Sequence, residues 1–144
     1  MALYFAYGLT MDRERMASVC PNAKTIGTAS LSGYTLEFTH PTKGHGEGIT
    51  NISLDRYGVV NGVVYDIPNN EIAMLDTHEG VPDLYKRIAV DVVDVDGRTV
   101  RAISHQIVKE VGYVRPARDY IAAIVKAAEK NMFSEGYLSY LRQF

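Results

Sequence analysis

The order of apolar patterns along the chain is the feature that most constrains its fold. Strand-like runs follow one another with little helical pattern between them, and the longest helical period comes after the last of them. The runs are residues 2–6, 24–38 (two runs around Gly27 and Gly33), 49–54, 59–67, 85–95 and 98–107. Helix and strand therefore do not alternate as in a doubly wound parallel sheet. The pattern predicts an α+β fold in which a mixed, largely antiparallel sheet curls into a small β-barrel flanked by helices.

Turn residues predict how these runs are connected. Asp96-Gly97 separates the last two runs and predicts a tight hairpin. The tetrapeptide Asp55-Arg56-Tyr57-Gly58 predicts a turn that makes 49–54 and 59–67 a second hairpin. The glycine-rich, polar segment 42–48 predicts a mobile loop.

Cap residues and the spacing of apolar side chains predict four helices. Capping and stop signals bound the short ones, and a 3.6-residue apolar period supports the long one. The predicted helices are residues 11–19, a short helix from the N-cap Asn70 to Gly80, residues 116–130, and a last helix capped by Ser134. We expect residues 1–144 to form a single domain, because this length is typical of one.

Charge and cysteine content argue against several classes of partner. Fifteen basic and seventeen acidic side chains leave a formal net charge of −2, so no overall field attracts nucleic acid or an anionic membrane. Cys20 is the single cysteine, which excludes an intramolecular disulfide framework. No apolar stretch has the length of a membrane span, and the first residues lack the pattern of a secretion signal. We therefore expect a cytoplasmic protein without nucleic-acid or membrane partners.

The residues most often used for metal or nucleophilic chemistry do not form a recognisable motif. The histidines His40, His45, His78 and His105 lack metal-ligand spacing and are expected to be exposed or structural, so no metal is predicted. The glycine loop at 44–48 is more typical of a flexible connection than of a phosphate loop. Cys20 lies at a helix end, where nothing lowers its pKa.

Two local patterns remain as candidates for a site. Tyr7-Gly8 follows the first strand, and a sharp or positive-φ turn at Gly8 can expose the N–H groups of residues 8–11 to an anion. An ordinary strand-to-helix turn explains the same residues.

Glu79 is the second candidate, because it ends a short helix beside Gly80. A carboxylate at a helix C-terminus is disfavoured by the helix dipole, which raises its pKa and suits a general base. An exposed surface glutamate is the alternative. Asp76 and Asp83 are rival carboxylates, and their positions favour surface roles.

Taken together, these patterns resemble a known family. Tyr4-Phe5-Ala6-Tyr7-Gly8, followed by Leu75-Asp76-x-x-Glu79-Gly80 at this separation, is similar to the two signatures of the γ-glutamylcyclotransferase-like (AIG2-like) proteins. The stretches 48–52 and 60–65 also lie in the expected order. The resemblance covers nearly the whole chain. It departs at Leu9-Thr10, where the family usually has Ser-Asn or Thr-Leu.

The resemblance implies a small mixed barrel with one pocket at its mouth. It implies an enzyme, an amide-type lyase or acyltransferase, that needs no cofactor. The substrate's own α-amine attacks its γ-amide and releases 5-oxoproline together with an amine or amino acid. Glu79 is expected to be the general acid/base, and the implied substrate-binding residues are Tyr7, Gly8, Leu9, Thr10, Tyr85 and Tyr120.

Other readings stay open at this point. Leu9 removes a side-chain hydrogen-bonding group, which allows a non-catalytic module that binds a small carboxylate on the same fold. A cyclotransferase acting on a different γ-glutamyl amide is the other alternative. The aromatic residues Tyr137, Tyr140 and Phe144 are compatible with a homodimer or with packing of the last helix onto its own domain.

Overall fold

Five strands close into a barrel with four helices around it, in a computed structural model that describes residues 2–41 and 46–144. The strands are β1 (Ala2–Ala6), β2 (Lys24–Pro41), β3 (Gly48–Ile67), β4 (Tyr85–Asp94) and β5 (Thr99–Ile107). The helices are α1 (Arg13–Val19), α2 (Asn69–Glu79), α3 (Arg118–Lys130) and α4 (Glu135–Arg142). The predicted α+β barrel is therefore confirmed.

The barrel is mixed because one pair of strands is parallel. The strand order is β1-β3-β2-β4-β5, and the neighbours within that order pair antiparallel. The barrel closes where β1 meets β5 in parallel, with Tyr4 opposite Ile103. This closure places the end of β1 beside the end of β5, where the site described below lies.

The predicted hairpin within residues 49–67 is wrong. β3 continues as a strand through Asp55–Gly58 and pairs with β2 along its length, so the hairpin joins β2 to β3 instead. A register shift between Ser32 and Tyr34 takes up the extra residues as a bulge. At Gly58 a Cβ would lie 2.3 Å from the carbonyl oxygen of Tyr34, so the glycine marks a close strand approach rather than a turn.

The structure bears differently on the other predicted breaks and loops. The break predicted at Gly27 and Gly33 is a pair of positive-φ bulges in the continuous β2, with φ of 155° and 87°. The predicted loop at 42–48 lies largely outside the described residues, and Gly48 already belongs to β3. The Asp96-Gly97 hairpin is confirmed, with Gly97 at φ 80° between β4 and β5.

The helices form near their predicted positions, with shifted starts. A short 3-10 turn forms at Leu9–Met11, so α1 begins at Arg13 rather than at residue 11, and the side chain of Asp12 caps it. α2 begins at Asn69, so its N-cap is Pro68 and the predicted cap Asn70 lies inside the helix. Gly80 ends α2 in the left-handed conformation, as predicted. Ser134 caps α4 by accepting a hydrogen bond from the Tyr137 N–H, also as predicted.

The core fills the barrel and the space under α3. Fully buried apolar side chains include Phe5, Leu36, Phe38, Ile52 and Val63 inside the sheet, and Ile124 on α3. Across the described residues, no helix combines the length and the apolar character needed to cross a membrane.

Replacing Gly62 by alanine tests how tightly β1 packs against β3. A Cβ at this position would lie 2.4 Å from the carbonyl oxygen of Ala6 and 2.6 Å from the Phe5 ring. We expect Gly62→Ala to lower the free energy of unfolding by about 1–3 kcal/mol in urea melts. The matched control is Gly136→Ala in α4, where the nearest atom is 3.9 Å away. The control should gain up to about 1 kcal/mol, because alanine favours helix over glycine. Equal effects of the two substitutions would contradict this packing.

Candidate active site

A cavity of about 800 Å³ opens at the mouth of the barrel. Its volume suits a small-molecule ligand. All seven site residues predicted from the sequence line it: Tyr7, Gly8, Leu9, Thr10, Glu79, Tyr85 and Tyr120. Five further lining residues have polar side chains and carry no site prediction from the sequence: Tyr4, His40, Thr50, His78 and His105.

Glu79 is the acidic side chain of this cavity wall. It is the last residue of α2, and the left-handed Gly80 turns the chain away immediately after it. Burial raises the pKa of Glu79 to about 7. Within the described part of the chain, no hydrogen bond or ion pair to its carboxylate is present. Desolvation is therefore the cause of the raised pKa of Glu79.

The turn after β1 places Gly8 directly against Thr50. Gly8 has φ −118°, so the predicted positive φ is wrong. Glycine is required here because a Cβ would lie 2.9 Å from the Thr50 hydroxyl oxygen. The N–H of Met11 donates to the Gly8 carbonyl within the 3-10 turn. The prediction that this N–H is exposed to a ligand is therefore wrong. The N–H groups of Gly8, Leu9 and Thr10 have no acceptor among the described residues.

Thr50 on β3 connects the two tyrosines that were predicted to line the cavity. The Tyr85 hydroxyl donates to the Thr50 carbonyl oxygen at 2.5 Å. The Thr50 N–H donates to the Tyr120 hydroxyl oxygen at 3.0 Å, and the two hydroxyls of Thr50 and Tyr120 lie 3.1 Å apart. Thr50 has no motif of its own, and only its place within the family-like stretch 48–52 could have pointed to it.

A second polar network ends at Tyr4. The Tyr4 hydroxyl lies 2.8 Å from Nδ1 of His105, and Nε2 of His105 lies 2.8 Å from Oδ1 of Asp76. Arg87 binds the other oxygen of Asp76 through Nε at 2.8 Å and Nη2 at 2.6 Å. The prediction that Asp76 is a surface group is therefore wrong, whereas Asp83 is exposed as predicted. No sequence pattern indicated that β1 pairs with β5, so nothing linked Tyr4 to His105.

The ionisation of this second network is set by its contacts. Burial opposes the charge on Asp76, but the hydrogen bonds and charges of Arg87 and His105 outweigh it and hold the pKa of Asp76 below its ordinary value. Burial lowers the pKa of His105, and the opposing effect of Asp76 does not restore it. An ionised aspartate therefore faces a neutral imidazole at neutral pH.

Four tyrosines line the same cavity as Glu79. Burial raises the pKa of Tyr4, Tyr7, Tyr85 and Tyr120, and the negative charge of Glu79 adds to each of these rises. The carboxylate of Glu79 therefore acts electrostatically on all four hydroxyls. All four phenols remain protonated at neutral pH. Glu79 is thus a carboxyl with a pKa of about 7 in a cavity that four protonated phenols also line.

The other chemically active side chains take no part in this arrangement. His40 and His78 line the same cavity, and His40 bonds to the backbone through Nδ1, 2.8 Å from the Pro41 oxygen. His45 lies outside the described residues. Cys20 is buried away from the cavity, and burial raises the pKa of its thiol to about 11. Among residues 2–41 and 46–144, no cluster of three or more His, Cys, Asp or Glu side chains is arranged to hold a metal ion.

Comparison with known proteins relates this architecture to one family. The model of the AIG2-like family matches residues 59–141. YkqA of Bacillus subtilis is 30% identical over 130 residues, which cover 88% of this chain and 46% of that protein. This chain therefore spans less than half the length of YkqA. The gamma-glutamylcyclotransferase of Bos taurus is 31% identical over 134 residues, covering 90% of this chain and 71% of the relative.

A solved structure agrees with these sequence matches. The structure of a gamma-glutamyl cyclotransferase superimposes with a TM-score of 0.90 at 26% identity, covering 98% of this chain and 86% of the other. The likeness therefore extends over the barrel and its helices.

The raised pKa of Glu79 predicts a pH-dependent cost to folding. A carboxyl with pKa about 7 in the folded chain and 4.5 ordinarily destabilises the fold as pH rises between these values. We compare the free energy of unfolding of Glu79→Gln with that of the unsubstituted chain at about pH 4.5 and at about pH 8. Between these two values, the difference should change by about 2–3 kcal/mol in favour of Glu79→Gln. Urea unfolding at both pH values measures this change. A stability difference that does not change with pH would contradict the burial of this carboxyl.

Proposed function

This chain belongs to the AIG2-like family, and we propose that it is a γ-glutamylcyclotransferase-type enzyme with Glu79 as its general acid/base. Its substrate is a γ-glutamyl amide, and its products are 5-oxoproline and an amine or amino acid. The relationship to named gamma-glutamylcyclotransferases supports the class of reaction. The observation that carries the assignment of Glu79 is a carboxyl with a pKa of about 7 in the wall of the cavity, without a hydrogen bond or ion pair to residues 2–41 and 46–144.

The proposed reaction begins at the substrate's α-amine. This amine is protonated near neutral pH, so a base has to remove a proton before the nitrogen attacks. A carboxyl with pKa near 7 is half ionised at that pH, and it both accepts a proton and returns it readily. Glu79 therefore takes the proton from the ammonium group and becomes neutral.

Ring closure and amide cleavage complete the reaction without another reactant. The amine nitrogen forms a bond to the γ-carbonyl carbon, and the carbonyl oxygen becomes an oxyanion. When this intermediate collapses, the bond from the carbon to the amide nitrogen breaks and the neutral Glu79 protonates the departing nitrogen. The ring nitrogen still carries an extra proton from the attacking amine. Glu79, ionised again, takes this proton and passes it to the released amine, which leaves 5-oxoproline neutral at nitrogen and Glu79 ready for another cycle. Folding the substrate so that the amine and the carbonyl meet lowers the activation free energy by up to about 7–11 kcal/mol. The walls of the cavity provide that constraint.

The hydroxyl of Tyr120 is the tyrosine group best suited to bind the oxyanion. Tyr7 and Tyr85 donate their protons to the backbone carbonyls of His105 and Thr50, at 2.7 Å and 2.5 Å. The Tyr120 oxygen instead accepts a bond from the Thr50 N–H. The Tyr120 and Thr50 hydroxyls lie 3.1 Å apart, and when Thr50 donates within this pair the Tyr120 proton is free for the substrate. The N–H groups of Gly8 and Leu9, which line the same cavity, are further donors for this purpose.

Leu9 affects substrate recognition more than catalysis. It lines the cavity where the family usually carries a hydrogen-bonding side chain, and the next residue, Thr10, is buried. Backbone donors at this turn do not depend on the identity of residue 9. We propose that Leu9 makes this part of the binding site apolar and leaves the role of Glu79 unchanged.

Substituting Glu79 tests the proposed function directly. Glu79→Gln should lower the release of 5-oxoproline from a responsive γ-glutamyl substrate by about 100-fold or more, because proton transfer is lost. The measurement is mass spectrometry of the product from a panel of γ-glutamyl amino acids, γ-glutamylamines and glutathione. Asp83→Asn is the matched control: this carboxylate is close in sequence but exposed, and its substitution should leave turnover unchanged.

The same assay separates this proposal from its rivals. Full turnover by Glu79→Gln would contradict the assigned mechanism. Saturable binding of γ-glutamyl compounds without any product, by folded protein, would instead favour a binding module. The panel member that is cleaved fastest identifies the leaving group.

A further inference from the structure

The hydrogen-bond network Asp76–His105–Tyr4 determines which way the Tyr4 hydroxyl points its proton. Asp76 is ionised and can only accept, so Nε2 of His105 carries the proton between them. His105 is neutral, so its Nδ1 carries no proton and accepts one from the Tyr4 hydroxyl at 2.8 Å. The single proton of Tyr4 is therefore committed to the imidazole. The Tyr4 oxygen has only lone pairs left for a ligand.

The network is held rigidly enough to keep this direction. His105 is 2% exposed and Tyr4 is 3% exposed, so bulk water does not compete for their bonds. Arg87 binds Oδ2 of Asp76 with two nitrogens, which leaves Oδ1 for His105. The Tyr7 hydroxyl bonds to the carbonyl of His105 at 2.7 Å and fixes the backbone at the same point.

We propose that Tyr4 is a substrate-binding residue that accepts a hydrogen bond from the substrate's α-amine beside Glu79, and that Asp76 and His105 are positioning residues which keep Tyr4 an acceptor. The inference rests on the proposed function and adds the group that recognises the nucleophile. An ammonium group has three N–H donors, and Glu79 accepts one of them. Tyr4 lines the same cavity as Glu79, so one ligand has access to both acceptors. Once a proton has left, the nitrogen has one lone pair, and this lone pair attacks the γ-carbonyl carbon.

This arrangement predicts a preference for ligands that carry the α-amine. A γ-glutamyl amide donates to Tyr4, whereas the glutaryl amide of the same leaving group has no donor there. The Tyr4 lone pair then loses its partner in a buried site, which costs affinity. The same reasoning excludes Tyr4 as a donor to the oxyanion, since its proton is already used.

Two substitutions change the direction of the Tyr4 proton in different ways. Tyr4→Phe removes the acceptor. Asp76→Asn keeps the shape, but Arg87 retains the amide oxygen because Arg87 can only donate, so the amide NH₂ faces His105. Nε2 must then accept and Nδ1 must carry the proton, which it donates to the Tyr4 oxygen. Tyr4 now points its own proton into the cavity, against the N–H groups of the substrate.

Kinetics and binding test the assignment of Tyr4. Tyr4→Phe and Asp76→Asn should each lower kcat/KM for a γ-glutamyl substrate by about 10- to 100-fold, and the double variant should fall no further than the worse single variant. Asp91→Asn is the matched control, since it breaks the exposed Arg101–Asp91 ion pair on the same hairpin and should leave kcat/KM unchanged. Thermal melts establish that each variant is folded at the assay temperature.

Binding by calorimetry separates recognition of the amine from general damage to the site. In the slow Glu79→Gln background, Tyr4→Phe should weaken the γ-glutamyl amide about 10- to 100-fold and leave the glutaryl amide unchanged. Nitrogen NMR of His105 should show the proton on Nε2 in the unsubstituted chain and on Nδ1 in Asp76→Asn.

Failure of this inference differs from failure of the proposed function. If the unsubstituted chain forms no 5-oxoproline, the proposed function fails, while NMR and the ligand pair still decide the role of Tyr4. A proton on Nδ1 in the unsubstituted chain would overturn the inference, as would the absence of any preference for the amine-bearing ligand. Losses from the two substitutions that multiply in the double variant would also overturn it.

Discussion

The parallel contact between β1 and β5 is the constraint on which the rest of the site depends. It closes the barrel through Tyr4 and Ile103, and the buried Ser104 hydroxyl reinforces it by donating to the Phe5 carbonyl at 2.8 Å. Because Tyr4 lies on β1 and His105 on β5, the same contact that completes the fold brings their side chains together. Without this closure, the turn after β1 would have no fixed relation to the end of β5.

A close approach between Gly8 and Thr50 completes the opposite wall. The absence of a Cβ at Gly8 lets the Thr50 hydroxyl approach the backbone, and Thr50 in turn bonds to Tyr85 and Tyr120. The cavity is therefore surrounded by hydroxyls whose protons are largely committed in advance. The four phenols in the wall stay protonated at neutral pH, whereas Glu79 has a pKa of about 7. Preorganised groups of this kind need little rearrangement when charge develops on a substrate.

Local sequence signals predicted those parts of the fold that local chemistry determines. The Asp96-Gly97 hairpin, the end of α2 at Gly80 and the Ser134 cap all depend on a few neighbouring residues. Asp55 and Gly58 have turn chemistry and predict a hairpin at 55–58. The residues on either side of them pair with the long β2 instead, so Asp55–Gly58 lie within β3 and do not end it. A pattern of neighbouring residues does not predict which distant strands pair.

The same division applies to the candidate site. Tyr7, Gly8 and Glu79 lie in short patterns that can be recognised along the chain, and the structure places them in one cavity. Thr50 and His105 carry no such pattern, because their importance comes from strand register and barrel closure. The prediction of a surface role for Asp76 is wrong for a related reason. The sequence shows its position within α2, but it does not show the bonding partners on β4 and β5.

The central claim is that Glu79 ionises near neutral pH and that its ionised form drives catalysis. Carboxyl-carbon NMR of Glu79, recorded as a pH titration beside the pH profile of kcat/KM for 5-oxoproline release, tests this claim most directly. The account predicts one midpoint near 7 in the titration and an acid limb of the rate profile at the same pH, with activity rising as the proton is lost. A titration at the ordinary glutamate value, or an acid limb at an unrelated pH, would contradict it.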